Sequence, residues 1–197
     1  MITIVDYGAG NLPSVENALA AIGAPSRRAT EPRSLAQAQR IILPGVGHFG
    51  QMMRSLRATG LEEALLDRIQ EGVPFLGICL GMQALFERSE EGENAGFGIL
   101  PGQVRKFPGD ARVPHIGWNT IEPRPGSRLL SGISDGSYVY FAHSYHAPLG
   151  PETAATCAYA LPFAAALEKG SVFGVQFHPE KSGETGLRIL KTFAGFD

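Results

Sequence analysis

Long apolar runs, charge clusters and cysteine are all scarce in this sequence. No apolar segment approaches the ~18 residues that a membrane span needs, and no span is expected. The opening MITIVDYGAG has no basic stretch ahead of its apolar one, so it reads as a buried strand and not as a secretory leader. The formal net charge is only −2, with no long basic run, which argues against a nucleic-acid or polyanion partner. Two cysteines, Cys79 and Cys157, do not make a disulfide framework, and a reducing cytoplasm is the expected setting. Neither C-x-x-C nor H-E-x-x-H occurs. His143 and His146 stand three apart in FAHSYH, a spacing that points them to opposite faces of a strand. No catalytic metal and no cofactor are therefore expected. No internal repeat, low-complexity tract or linker interrupts the 197 residues, so 1–197 reads as a single domain.

Apolar residues, in contrast, make up 44% of the chain, and 25 glycines predict many tight turns or close backbone approaches. ITIV (2–5) reads as a strand and PSVENALAAIG as a helix, with Pro13 in its first turn, Val15, Leu19 and Ile22 on one face, and Gly23 as its stop. RIILPG (40–45) is a second strand ending in the glycine-rich PGVGHFG. TGLEEALLDRIQEG is a helix in which Thr59 and Glu62 have capping-box spacing, Leu61, Leu65 and Ile69 form a face, and Gly72 ends it. VPFLGIC is a third strand, with GMQALFERS expected as a helix straight after it. This alternation predicts an α/β fold: an open, mostly parallel sheet with helices on both faces. After position 95, short β-like pieces follow one another (GQVRKF, HIGWNTIE, YVYFAHSY, AATCAYA, FAAALEKG, VFGVQFHPE), and an antiparallel, β-rich second half is expected. GETGLRILKTFAGF then returns to helical spacing through Leu187, Leu190 and Ala194.

Cys79 lies between Gly77 and Gly81 in GICLG, the form of a nucleophile elbow with cysteine in place of serine. A sharp strand-to-helix turn would lift the sulfur clear of the backbone. Side chains two residues to either side would collide, which is why glycine fits both places. A helix N-terminus beside the sulfur favours thiolate, and the amide of Leu80 is placed to donate to an oxyanion. The alternative is a buried, inert cysteine in a core strand. Cys157, in AATCAYA, has no flanking glycines and is read as core.

A thiolate doing acyl transfer needs a base steered by a third group. His178 ends a strand-like run in GVQFHPEKS, and Glu180 lies two residues on, on the same side of an extended chain. Pro179 holds that piece extended. Glu180 can then fix one tautomer while the other ring nitrogen faces the sulfur. HPE alone is equally compatible with a surface turn carrying a solvated charge pair. Gly45, Val46 and Gly47 form a loop free to turn its peptide groups inward, as a second oxyanion donor or as an ordinary strand-to-helix turn.

Cys79 in GICLGMQ, followed far downstream by FHPE, resembles the class I, triad-type glutamine amidotransferases. DYGAGNLPSV (6–15), LPGVGHF (43–49), PHIGWN (114–119), YFAHSYH (140–146) and GVQFHPEKSG (174–183) narrow the resemblance to the glutaminase subunits of imidazole glycerol phosphate synthase. These blocks run from the first strand to the last helix. Pro13, where a basic or polar residue is common, and Ile116, where methionine is common, are small departures. The resemblance implies a Cys79–His178–Glu180 triad and an oxyanion hole from Leu80 and the Gly45–Gly47 loop. It also implies glutamine held by Gln83, Ser144 and Tyr145 with Gly47. Ammonia would pass to a cyclase subunit with a (β/α)8 barrel, which joins it to a phosphoribulosyl-formimino aminoimidazole carboxamide nucleotide in histidine biosynthesis. Asn11, Trp118, Tyr138 and Lys181 would face that partner. Against this stand a core role for the two aromatics, a helix cap for Asn11 and a solvated charge for Lys181. Competing functions are the glutaminase of another amidotransferase, such as one serving pyridoxal phosphate synthesis, a free-standing cysteine hydrolase, and a non-catalytic scaffold.

Overall fold

The computed structural model describes residues 1–92, 95–109 and 111–196. In chain order the elements are β1 (Ile2–Val5), α1 (Leu12–Ala21), β2 (Ser26–Ala29), β3 (Ile41–Gly45), α2 (Phe49–Ala58), α3 (Leu61–Gln70), β4 (Phe75–Cys79), α4 (Leu80–Gln83), β5 (Phe86–Ser89) and β6 (Leu100–Lys106). β7 (His115–Pro123), β8 (Ser137–His143), β9 (Tyr145–His146), β10 (Thr153–Tyr159), β11 (Leu161–Lys169), β12 (Val172–Val175) and α5 (Gly183–Ala194) complete the series. Nine strands form one sheet in the order β2-β1-β3-β4-β12-β11-β10-β7-β8. β2, β1, β3, β4 and β12 run parallel, and β11, β10, β7 and β8 continue the sheet antiparallel. A smaller sheet has the order β5-β6-β9. The expected α/β fold, with a parallel part and an antiparallel second half, is what the chain adopts.

Helices cover both faces of the parallel part, and β1, β3, β4 and β12 are buried on both sides, as their apolar runs require, while β2 is its polar, partly exposed edge. Alternate strand residues feed two cores. Ile4, Ile42, Leu76 and Ile78 pack with Leu12, Val15 and Leu19 of α1 and with Ile189, Leu190 and Phe193 of α5. Val5, Ile41, Leu43 and Phe75 pack with Phe49, Met52, Met53 and Leu56 of α2 and with Leu61 and Leu65 of α3. Among the described residues no helix is long and apolar enough to cross a membrane.

Several local expectations are corrected. The helix expected over GMQALFERS is one turn, after which the chain becomes β5. The segment that follows captures its carbonyls: Phe97 N–H donates to Ala84 O (2.7 Å), Gly96 N–H to Glu87 O (2.9 Å) and Leu100 N–H to Leu85 O (2.9 Å). Thr59 does not cap α3. Its hydroxyl donates back to Ser55 O (2.8 Å) and closes α2. Gly60, at φ 71°, starts α3, and Glu62 pairs with Arg57 instead (2.6 Å). α2, which the sequence reading did not resolve, opens on His48, whose ring nitrogen accepts from Gly50 N–H (3.1 Å). VFGVQFHPE was grouped with the antiparallel pieces, but β12 inserts between β4 and β11 and is parallel to β4, with Gly174 opposite Gly77.

Candidate active site

β4 ends at Cys79 and β12 at Val175, on adjacent parallel strands, so Cys79 and the stretch leading to His178 emerge from the same end of the sheet. In open parallel sheets that end is where ligands bind. Cys79 has φ 54° and ψ −108°. A left-handed φ on a non-glycine residue costs of order 1–3 kcal/mol and persists where its surroundings enforce it. Here the glycines do so. A Cβ on Gly77 would overlap the backbone of Gly81, and one on Gly81 would overlap the Leu43 carbonyl of β3. The elbow can close only if both are glycine. Because α4 is a single turn, a helix dipole contributes little. What the turn supplies is its first N–H groups, that of Leu80 among them, which have no intrahelical partner.

His178 is buried, as is the Glu180 side chain, and its Nδ1 lies 2.8 Å from Glu180 Oε1. The link between them is not extended as expected: Pro179–Lys181 is a 3₁₀ turn, and it brings the two side chains together by folding. Burial alone would push the imidazole pKa down. Hydrogen bonds to Cys79 and Glu180 outweigh it and lift the pKa to about 10. Both contacts favour the charged form of the ring. Cys157 lies in β10 and is buried, and burial, with Glu122 nearby, pushes its thiol up to about 12.

The two residues of the glycine-rich loop differ. Gly45 pairs in register with Cys79 across β3 and β4. It is hemmed in: a Cβ there would lie 2.5 Å from Leu80 Cβ and 2.7 Å from Gly81 N, so only glycine fits. Gly47 has open space around it and φ +92°, so conformational freedom is confined to the Val46–Gly47 side of the loop.

Val46, Gly47, Cys79, Leu80 and His178 line one cavity of about 260 Å³, and Gln83, Ser144, Tyr145 and Lys181 line it as well. Its scale is that of a small-molecule site. The Gln83 amide is oriented by two acceptors, Tyr145 O (3.1 Å) and Gln176 Oε1 (3.0 Å), and its own Oε1 is buried without a protein partner. Sequence reasoning missed Glu91, which lines the cavity too. Its Oε2 accepts from Phe49 N–H (2.9 Å), and burial raises its pKa. No motif pointed to Glu91, because it sits in an irregular charged loop.

His143 and His146 do not point to opposite faces. The strand breaks at Ser144, and both rings pack on Phe107, at 5.4 and 4.8 Å. His143 Nδ1 meets Tyr145 O (2.7 Å), and its Nε2 meets His115 Nδ1 (3.2 Å). These contacts fit two neutral rings with the proton on Nδ1. Burial pushes His143 down to about 3 and His115 to about 4.

Trp118 and Tyr138 are not core aromatics: they are 55% and 61% exposed. Trp118 pairs with Tyr140 and Thr120 with Tyr138, so the aromatics share one face of β7 and β8. The Lys181 ammonium stands 5.7 Å over the Tyr140 ring on that face. Asn11 occupies the cap position of α1, but its side chain makes no capping bond.

Comparison with known proteins gives the family. The family model "Glutamine amidotransferase class-I" matches residues 3–194. The imidazole glycerol phosphate synthase subunit HisH of Desulfitobacterium hafniense (strain Y51) is 47% identical over 98% of this chain and 93% of that protein. The protein of the same name from Salinibacter ruber (strain DSM 13855 / M31) is 46% identical over 98% and 94%. Among solved structures, a glutamine amidotransferase superposes with a TM-score of 0.78 at 20% identity, over 99% of each chain. PurLQS from Thermotoga maritima does so with 0.76 at 18% identity, over 98% of this chain and 96% of that one. At such identities the structural likeness speaks for the fold alone.

Proposed function

The chain belongs to the class-I glutamine amidotransferases, in the branch of the HisH subunits of imidazole glycerol phosphate synthase, and on that premise we propose that it hydrolyses glutamine with a Cys79–His178–Glu180 triad. The whole chain acts as one amidotransferase domain. It works in the cytoplasm beside a cyclase subunit with a (β/α)8 barrel, to which it delivers ammonia for histidine biosynthesis.

The observation that carries this reading is the placement of His178 between the sulfur of Cys79 and the carboxylate of Glu180 at the end of the parallel sheet. The Cys79 thiolate adds to the side-chain amide carbon of glutamine. The oxyanion takes N–H donors from Leu80 and from the Gly45–Val46–Gly47 loop. The His178 imidazolium gives its proton to the departing ammonia, leaving a glutamyl thioester. Neutral His178 then takes a proton from water, which hydrolyses the thioester to glutamate. Glu180 stabilises the imidazolium in each half. Gln83, Ser144 and Tyr145 hold the substrate, and the Glu91 carboxylate suits its α-ammonium group by charge. Asn11, Trp118, Tyr138 and Lys181 form the docking face for the cyclase.

Control by the partner falls on the Val46–Gly47 peptide, the free part of the loop. Turned one way it offers an N–H to the oxyanion, and turned the other way a carbonyl. One lost donor costs about 100- to 1000-fold in rate. The test is glutaminase activity with and without the cyclase and its nucleotide ligand. Near silence alone and strong stimulation in kcat are expected. Full activity without any partner would overturn the subunit assignment in favour of a free-standing hydrolase.

A further inference from the structure

Gln176 has no part in the triad, the oxyanion donors or the substrate-binding set, yet it reaches the reacting sulfur. It follows β12 directly and is fully buried. Its Nε2 lies 3.7 Å from Cys79 Sγ, within hydrogen-bond range for sulfur.

The direction of this contact is fixed by its neighbours. Gln83 Nε2 carries two hydrogens and meets two acceptors, the Tyr145 carbonyl at 3.1 Å and Gln176 Oε1 at 3.0 Å. The Tyr145 carbonyl can only accept, so the Gln83 amide cannot flip without facing its own oxygen toward it. With Gln83 so oriented, Gln176 presents its oxygen to Gln83 and its NH₂ to the sulfur. Tyr145 O is held in turn by His143 Nδ1 (2.7 Å), which anchors the far end of the chain. Spacing of two along the strand extension places Gln176 and His178 both toward Cys79.

We propose that Gln176 is a fixed neutral donor to the Cys79 thiolate, oriented by Gln83, and that with the His178 imidazolium it holds the sulfur ready for attack. The proposal rests on Cys79 being the nucleophile. His178 must give up its proton during the reaction, whereas an amide donor stays in place throughout. The amide steadies the sulfur in the free enzyme and when the thioester releases it.

The test is alkylation of Cys79 by iodoacetamide as a function of pH, in a Cys157→Ala background so that a single thiol reports. In Gln176→Leu the rate at pH 7 should fall about tenfold, the scale of one lost hydrogen bond to a charged group, and the profile should move to higher pH. Gln176→Glu keeps the acceptor for Gln83 but removes the donor, and should slow alkylation in the same direction. It also covers the case in which the leucine variant does not fold. A merely structural role would lower the melting temperature without moving the pH profile. A folded variant whose profile superimposes on that of the parent would overturn the proposal. A parent whose Cys79 reacts no faster than a free thiol would overturn both this proposal and the catalytic reading.

Discussion

Acidification from pH 7 to pH 5 should cost this fold about 3 kcal/mol, because its buried histidines cannot accept the protons that the unfolded chain takes up. His115 and His143 are held neutral, with pKa values near 4 and 3. An unfolded histidine titrates near ~6.5. A group whose folded pKa is depressed gives stability that is fully present above the unfolded pKa and is lost as pH falls toward the folded one. Between pH 7 and pH 5 each ring loses about 2 kcal/mol by this linkage. His146 is shifted down as well and adds in the same direction. His178 works the other way. Its folded pKa of about 10 keeps it charged across this range, so protonating the unfolded chain costs the fold nothing there. That term returns about 1 kcal/mol between pH 7 and pH 5, and it disappears only in alkali, as pH rises through the folded value. A net 3 kcal/mol is a large share of a typical 5–15 kcal/mol stability. The assay is urea unfolding at pH 7 and pH 5, on the parent chain and on His115→Phe. Phenylalanine keeps the ring between Phe141 (4.8 Å) and Tyr159 (3.9 Å) but cannot titrate. The variant should lose about 2 kcal/mol less than the parent between the two pH values. Equal losses, or a parent stability flat over the range, would refute the reasoning.

Replacing Cys79 with Ala should abolish glutamine-dependent synthesis by the complex and spare synthesis from added ammonium, while Cys157→Ala leaves both within a few-fold. Equal loss of both activities in Cys79→Ala would remove its assigned role. Glu180→Gln should slow thioester formation less than His178→Ala in single-turnover measurements, because the carboxylate only steadies the ring. A reversed order would exchange the roles. Gly81→Ala should destabilise the fold by at least ~1–3 kcal/mol, since a methyl there would overlap the Leu43 carbonyl, and a melting curve like the parent's would contradict the packing.

What was legible in the sequence was whatever rested on a strict steric demand. Glycine two places before and two places after Cys79 predicted the elbow, and the backbone contact between Gly77 and Gly81 is the reason. β1, β3 and β4 were visible as apolar runs because they are buried on both faces. His178 and Glu180 in HPE do come together, but for a different local reason: a 3₁₀ turn, not an extended strand, joins them. The elements that escaped notice depend on distant partners. β5 exists because the 96–100 segment takes its carbonyls, and β2 is a short, polar edge strand with no apolar alternation. Glu91 and Gln176 are ordinary polar residues in sequence. Only folding brings one to the mouth of the cavity and the other to the sulfur.

The insertion of β12 between β4 and β11 also sets an order in time. A chain emerging from the ribosome makes β1 to β4 first, and its parallel half then ends at β4 as an open edge. Such an edge, with unpaired N–H and C=O groups, is a template for pairing with other chains. The strand that closes it is made only after β5 to β11, and His178 follows it by three positions. A nascent chain that stops short of β12 therefore carries Cys79 without His178. The pocket around Cys79 comes together only when the two halves of the sheet are joined through those four residues.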